Sequence, residues 1–223
     1  MRKFILVPFI TILLVSFCVS AQTDNDDTQF WNETTIEFPF DRGNKKVSGV
    51  IIGNLRVTDN ITDLSDKRLG FAVKYVANKY VTVQPSYVFR LQTSSGPNRY
   101  EHRLRLDITP KKSFDNWSIE NRSRFEHRIK TADRKDETYY RNRTKVGIPV
   151  KKGDKTLFTP FVSNDTYFDL RNTRVHRNDT VGGISRKFSD TFTADFFYQY
   201  RHNFQSSTKH INIIGVNFKF KIK

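Results

Sequence analysis

The feature that most constrains this chain is an alternation with a period of two residues that recurs from one end to the other. Residues 118–130 read SIENRSRFEHRIK. One column carries Ser118, Glu120, Arg122, Arg124, Glu126 and Arg128, and the other Ile119, Asn121, Ser123, Phe125, His127 and Ile129. A helix would bring Glu120 to Arg124 and Arg122 to Glu126 at the four-residue spacing that supports helices. Polar residues at every second position wrap completely around a helix, however, and leave Ile119, Phe125 and Ile129 no common stripe. A strand accounts for both columns, because successive side chains point to opposite faces.

Neighbouring segments repeat the pattern. Leu69, Phe71, Val73 and Tyr75 oppose Gly70, Ala72 and Lys74; Val81, Val83, Pro85, Tyr87, Phe89 and Leu91 oppose Thr82, Gln84, Ser86 and Arg90. Tyr100, His102, Leu104, Leu106 and Ile108 oppose Glu101, Arg103, Arg105 and Asp107. Tyr140, Asn142, Thr144, Val146, Ile148 and Val150 oppose Arg141, Arg143 and Lys145. Ala194, Phe196, Tyr198, Tyr200 and His202 oppose Asp195, Phe197, Gln199 and Arg201, and Ile214, Val216, Phe218, Phe220 and Ile222 oppose Gly215, Asn217, Lys219 and Lys221. The weakest segment is a glycine-bearing stretch around Val181 to Phe188. The chain therefore reads as all-β and as one domain.

Eleven strand-like segments are legible, the first at residues 29–40. Short turns are expected near 41–45, 77–79, 110–115, 151–154 and 188–191, and longer polar loops near 58–67, 92–98, 130–137, 171–178 and 204–210. That alternation of short and long connections is the habit of outer-membrane barrels, whose strand number in bacteria is even. The expected architecture is a single antiparallel up-and-down transmembrane β-barrel of 10–12 strands.

The N-terminus bears on the compartment. Arg2 and Lys3 precede an apolar run from Phe4 to Cys18, and Val19-Ser20-Ala21 supplies small residues for signal peptidase. The run is too short for a membrane helix, which needs roughly 20 residues. A cleaved signal peptide over residues 1–21 and a barrel domain over 22–223 are expected. A lipoprotein signal at Cys18 is disfavoured by the large Phe17 before it. The mature 202 residues would lose the chain's one Cys and its one Met, and the formal charge would fall from +15 to +13. Without cysteine there is no disulfide framework to hold the fold. Export argues against nucleic acid as the counterpart of that charge and favours anionic lipid or lipopolysaccharide. A hydrophobic content of 37% is too low for a helical membrane protein but suits a barrel, which shows lipid one face of each strand.

If adjacent segments pair, Glu101, Arg103 and Arg105 face Glu120, Arg122, Arg124, Glu126 and Arg128, with Arg141, Arg143 and Lys145 beyond. Burying so many charges in a dry core is prohibitive unless all are paired, so a wet lumen is expected. This charge ladder either fills the barrel or lines a channel that favours anions.

YEHRLRLD at 100–107, ENRSRFEHR at 120–128, YYRNRTKVGIPV at 139–150, FFYQYRH at 196–202 and INIIGVNFKF at 211–220, with an early Trp31, resemble the uncharacterised bacterial outer-membrane barrels grouped as domain of unknown function 2490. The resemblance covers nearly all of the mature chain. It implies an outer-membrane β-barrel and supplies no activity. Outer-membrane barrels commonly end on an aromatic residue, whereas this chain ends Phe220-Lys221-Ile222-Lys223.

No catalytic site, cofactor or metal is expected. Ser123 and His127 share a column, but four residues along a strand is about 13 Å, too far for a hydrogen bond. Asp63, Asp66, Asp133, Asp136 and His176 are the acids and histidine available for an acidic site in or beside loops. Five His residues, at 102, 127, 176, 202 and 210, have no metal-ligand spacing. Seven Asn-x-Ser/Thr sequences, at Asn32, Asn60, Asn116, Asn121, Asn142, Asn164 and Asn178, are attributable to the abundance of Asn and Thr. Phe38, Phe40, Tyr87, Phe89, Tyr198 and Tyr200 are candidates for interfacial girdles. Lys130, Arg134, Lys135, Arg171, Arg174 and Arg177 are candidates for pairing with lipopolysaccharide phosphates. Expected partners are outer-membrane lipid, lipopolysaccharide and the barrel-insertion machinery, with no nucleic acid. Two alternatives remain: a barrel enzyme acting on lipid or peptide, and a soluble periplasmic barrel with an apolar ligand inside, which needs the apolar column to face inwards.

Overall fold

The computed structural model describes residues 26–41, 43, 46–93, 97–131 and 134–222. The expected signal peptide and Asp133 lie outside the described residues. Twelve strands follow in order: β1 (Asp26–Pro39), β2 (Val47–Thr58), β3 (Asp63–Val76), β4 (Val81–Gln92), β5 (Arg99–Ser113), β6 (Ser118–Lys130), β7 (Glu137–Gly147), β8 (Val150–Lys152), β9 (Lys155–Asp169), β10 (Arg174–Lys187), β11 (Phe192–Asn203) and β12 (His210–Lys221). Sequence neighbours pair antiparallel throughout, with β7 and β8 both pairing β9. Pro149 separates β7 from β8. Lacking an N–H, it interrupts the ladder without ending the stave, so the barrel has eleven staves.

Closure follows from that odd number. Eleven alternating strands leave the first and last running the same way, and β1 pairs β12 in parallel from Asp26↔His210 to Glu37↔Lys221. The even count customary in bacterial barrels does not apply here. The segment at 29–40 is a true barrel strand, and the two ends of the described chain lie at opposite ends of the barrel.

The connections differ from expectation. The predicted loop at 58–67 shrinks to four residues (59–62) and that at 171–178 to four (170–173), because Asp63–Asp66 and Arg174–Asn178 join strands. Each run has a single apolar residue, Leu64 or Val175, so neither shows the apolar alternation that marks a strand. The remaining connections at that end, 93–98, 131–136 and 204–209, have six residues each. The opposite end has turns at 40–46, 77–80, 114–117, 153–154 and 188–191. The length contrast is weak; we keep the names loop end and turn end. The tightest turn, between β8 and β9, places Gly153 at φ 59°, where a residue with a Cβ is strained.

The two columns separate cleanly by face. Leu55, Leu69, Leu104, Phe125, Val162, Phe196 and Ile214 are among the exposed side chains on the outside. Glu101, Arg103, Arg105, Asp107, Glu126, Asp165, Asp179 and Arg201 are buried on the inside. This inverts a soluble barrel and matches one solvated by lipid. It overturns the alternative of a soluble barrel with an apolar interior, since β5, β6 and β7 turn their charged columns inwards.

Candidate functional site

The inner wall is built by register. Pairing of β5 with β6 sets Arg105 opposite Glu126 and Asp107 opposite Arg124. Pairing of β6 with β7 sets Arg122 opposite Arg143 and Arg124 opposite Arg141. Like charges directly opposite one another are destabilising, so these four arginines need carboxylates from elsewhere. Asp107 takes both Nε and Nη2 of Arg124, at 2.5 and 2.6 Å. Asp165, from β9, accepts from Arg122 at 3.0 Å and Arg141 at 2.8 Å. Glu120 accepts from Arg143 at 3.0 Å.

Glu126 is the centre of the ladder. It is wholly buried and lies within ion-pair reach of five arginines. Arg128 is at 2.6 Å, Arg105 at 2.9 Å, Arg141 at 3.6 Å, Arg103 at 3.9 Å and Arg124 at 4.0 Å. The network continues around the barrel. Asp66 binds Arg68 and Arg90 at 2.5 and 2.9 Å, Glu101 binds Arg90 and Arg103 at 2.9 and 2.5 Å, and Asp179 takes both ends of Arg201. Aromatic plates fill the gaps between guanidinium groups. Trp31 lies under Arg56 at 3.4 Å and Arg201 at 4.5 Å, Tyr167 under Arg177 at 3.5 Å and Arg141 at 3.8 Å, and Tyr139 under Arg128 at 4.4 Å.

Hydration is graded along the axis. Around Glu101, Arg103, Arg105 and Glu126, side chains expose 0–6% of their surface, whereas near the turn end Lys145, Lys74, Arg143 and Lys219 expose 24, 28, 29 and 48%. The expectation of a uniformly wet lumen is therefore corrected. In the loop-side half the charges are dehydrated, and ion pairing offsets much of that cost. A cavity of about 890 Å³ runs along the lumen, from Lys111, Lys219 and Lys221 on the turn side to Arg68, Arg90, Arg103 and Arg128 in the loop-side half, and its lining carries seventeen Lys and Arg side chains against eight Asp and Glu. The excess follows from the pairing: deep carboxylates such as Glu126 are packed away, while Lys111, Lys219 and Lys221 reach the cavity.

All eleven ladder residues expected from sequence face inwards. Sequence reasoning did not single out Arg56, Arg68, Arg90, Arg177 and Arg201, or Asp66, Asp107, Asp165 and Asp179, as partners. The signal was present, since each occupies the same parity as the ladder within its own strand. Two candidates for lipopolysaccharide pairing are corrected: Lys130 turns inwards onto Glu137 at 2.5 Å, and Arg177 pairs with Asp179 at 3.3 Å. Both are strand residues of inward parity. Arg134 folds over Glu101 at 3.8 Å, and Arg171 donates to the Asp136 carbonyl at 3.4 Å.

Among the described residues weighed for catalysis, Ser123 and His127 are each engaged with a different neighbour. Ser123 bonds the Tyr140 hydroxyl at 3.1 Å and His127 the Thr138 hydroxyl at 2.9 Å. Asp66 belongs to the arginine network, and Asp136 accepts from the Lys130 amide at 3.0 Å. Tyr87 is bonded to His102 at 2.6 Å, and the Tyr198 hydroxyl donates to Asn212 at 2.6 Å. Phe38 packs edge-on to Phe40 at 5.8 Å beside the turn end.

The family model described as "Protein of unknown function (DUF2490)" matches residues 28–212. The chain belongs to this family. The matched span runs from β1 into β12 and includes every ladder residue. No curated protein matches the chain. Among solved structures it is similar to a NanC porin in a rhombohedral crystal form, at 12% identity and a TM-score of 0.47, with 88% of this chain and 99% of that chain covered.

Proposed function

We propose that this member of the DUF2490 family is a non-catalytic β-barrel of the bacterial outer membrane that admits small anions into its lumen from the turn end. The observation that supports this reading is the excess of cationic side chains, seventeen against eight, around the cavity of about 890 Å³. Rings of fixed charge set which ions enter a pore, and low-dielectric walls concentrate the effect. The side chains that carry selectivity are Lys111, Arg143, Lys145, Lys219 and Lys221 near the mouth. Arg122 and Arg124 are committed to Asp165 and Asp107. Lipid contacts the outer wall, exposed Lys135 and Arg174 meet lipopolysaccharide phosphates, and insertion machinery installs the barrel.

The test is the reversal potential of purified protein in a planar bilayer under a salt gradient. Anion preference is expected, and it should weaken in a Lys145→Gln/Lys219→Gln variant. Cation preference would overturn the reading. A second reading, a barrel closed to ions and serving a structural role, is favoured by the dehydrated loop-side half. It predicts no conductance at all.

A further inference from the structure

The Asn-x-Ser/Thr sequences have a structural meaning that abundance does not supply. In a strand, residues two apart share a face, so each such sequence puts an amide and a hydroxyl side by side. Asn121 and Ser123 on β6, Asn142 and Thr144 on β7, Asn164 and Thr166 on β9, and Asn178 and Thr180 on β10 all point outwards, and register aligns them. One row runs Asn121, Thr144, Asn164, Thr180, and the next Ser123, Asn142, Thr166, Asn178. The result is a polar plaque two residues tall and four strands wide on the outer wall. It is bounded on the loop side by Phe125, Tyr140 and Phe168, and on the turn side by Ile119, Val146 and Val162.

The plaque is organised. Asn121 donates to Asn142 at 3.0 Å and to Thr144 at 2.9 Å, and Asn142 donates back to Asn121 at 3.1 Å and to Ser123 at 3.2 Å. The same motif recurs on the next two strands. Asn164 donates to Asn178 at 2.8 Å and to Thr180 at 3.1 Å, and Asn178 donates to Asn164 at 3.0 Å and to Thr166 at 2.9 Å. All four amides therefore spend both protons within the barrel, which lets the plaque meet hydrocarbon during insertion. Polar atoms in hydrocarbon still favour a polar neighbour, and small polar side chains at such sites let walls approach closely. The opposite wall differs, with Leu55, Leu69 and Phe71 on β2 and β3 exposed to the outside.

We infer that this plaque is a self-association surface, on which a second copy of the chain docks within the membrane. An identical plaque is the natural complement, because its Ser and Thr hydroxyls can rotate to donate and its amide and hydroxyl oxygens keep acceptor lone pairs, and a two-fold axis pairs such a patch with itself. The size suffices. The four-strand sector made of the plaque and its flanking aromatic and aliphatic rows, with strands about 4.8 Å apart across an apolar band about 25 Å tall, presents roughly 480 Å² per copy. Two copies bury nearly 1,000 Å², about where biological interfaces begin.

The test is cysteine cross-linking of the otherwise native chain in its own membranes, with Thr144→Cys at the plaque and Leu69→Cys on the opposite wall. Oxidation should convert most of Thr144→Cys, and at least tenfold less of Leu69→Cys, to a product of twice the chain mass. Mass measurement in mild detergent should give a dimer for the wild type. An Asn142→Leu/Asn164→Leu variant that retains heat-dependent gel mobility should give a monomer. A monomeric wild type, equal cross-linking at both positions, or a Thr144→Cys adduct of another mass would each overturn the proposal. A barrel that conducts no ions would leave it untouched.

Discussion

Replacing Glu126 by Gln keeps its shape and removes the charge that five arginines share. Not every neighbour is left stranded. Arg124 keeps Asp107, Arg141 keeps Asp165 and Arg103 keeps Glu101, each at 2.8 Å or less. Arg128 keeps only a distant contact to Glu137, at 3.8 Å. Arg105 has no other ion pair among the described residues. The substitution therefore weakens two short charged interactions, at 2.6 and 2.9 Å, inside a dehydrated layer. Hydrogen bonds to charged groups contribute about 1.5–3 kcal/mol each, and breaking a buried pair costs about 3–5 kcal/mol. We expect Glu126→Gln to destabilise the barrel by about 4 kcal/mol in urea unfolding from lipid vesicles, followed by heat-dependent gel mobility. Lys219→Gln is the control. That lysine is half-exposed and pairs with Asp195 at the wet end, so its loss should cost under about 1 kcal/mol. Equal stability of the two variants would refute the division of the lumen into a buried loop-side half and a more exposed turn-side half.

Other expectations follow from particular positions. Because the barrel has eleven staves, Asp27→Cys and Ile222→Cys should be labelled by impermeant reagent from opposite sides of the membrane; labelling from one side would mean an even strand number. Gly183→Ala should lower the folded yield sharply, since a Cβ there would lie 2.5 Å from the Phe196 carbonyl oxygen and 2.7 Å from the Phe161 ring. Gly182→Ala has open space around it and should fold normally. Removing the ring beneath Arg56 and Arg201 by Trp31→Leu should cost about 1–3 kcal/mol from two cation–π contacts and their packing, read in the same urea titration.

Most of the architecture was legible because lipid and lumen impose opposite demands on alternate residues. Ile119, Phe125 and Ile129 against Glu120, Arg122, Arg124, Glu126 and Arg128 could only be strand faces, and the same parity located every ladder residue. Legibility failed where a run has a single apolar residue, as Leu64 and Val175 are in theirs. Asp63–Asp66 and Arg174–Asn178 read as loops for that reason, and β10 was weak because Gly182 and Gly183 interrupt its pattern. Which carboxylate serves which arginine depends on register, and a one-residue slip would have reassigned every pair. The wet and dry halves were illegible, because they depend on how long side chains from several strands meet across the axis. The Asn-x-Ser/Thr sequences were visible, but only the alignment of β6, β7, β9 and β10 turns four of them into one surface.

The central claim is that the charged column faces an enclosed lumen and the apolar column faces lipid. Replacing Trp117 by Phe leaves Trp31, which is 9% exposed, as the one tryptophan, on the inner wall. In vesicles of brominated lipid, Trp31 fluorescence should be nearly unchanged. Adding Phe196→Trp, on the outer wall, should introduce emission that the bromine quenches strongly. Quenching of Trp31, with Phe196→Trp spared, would mean that the columns face the other way.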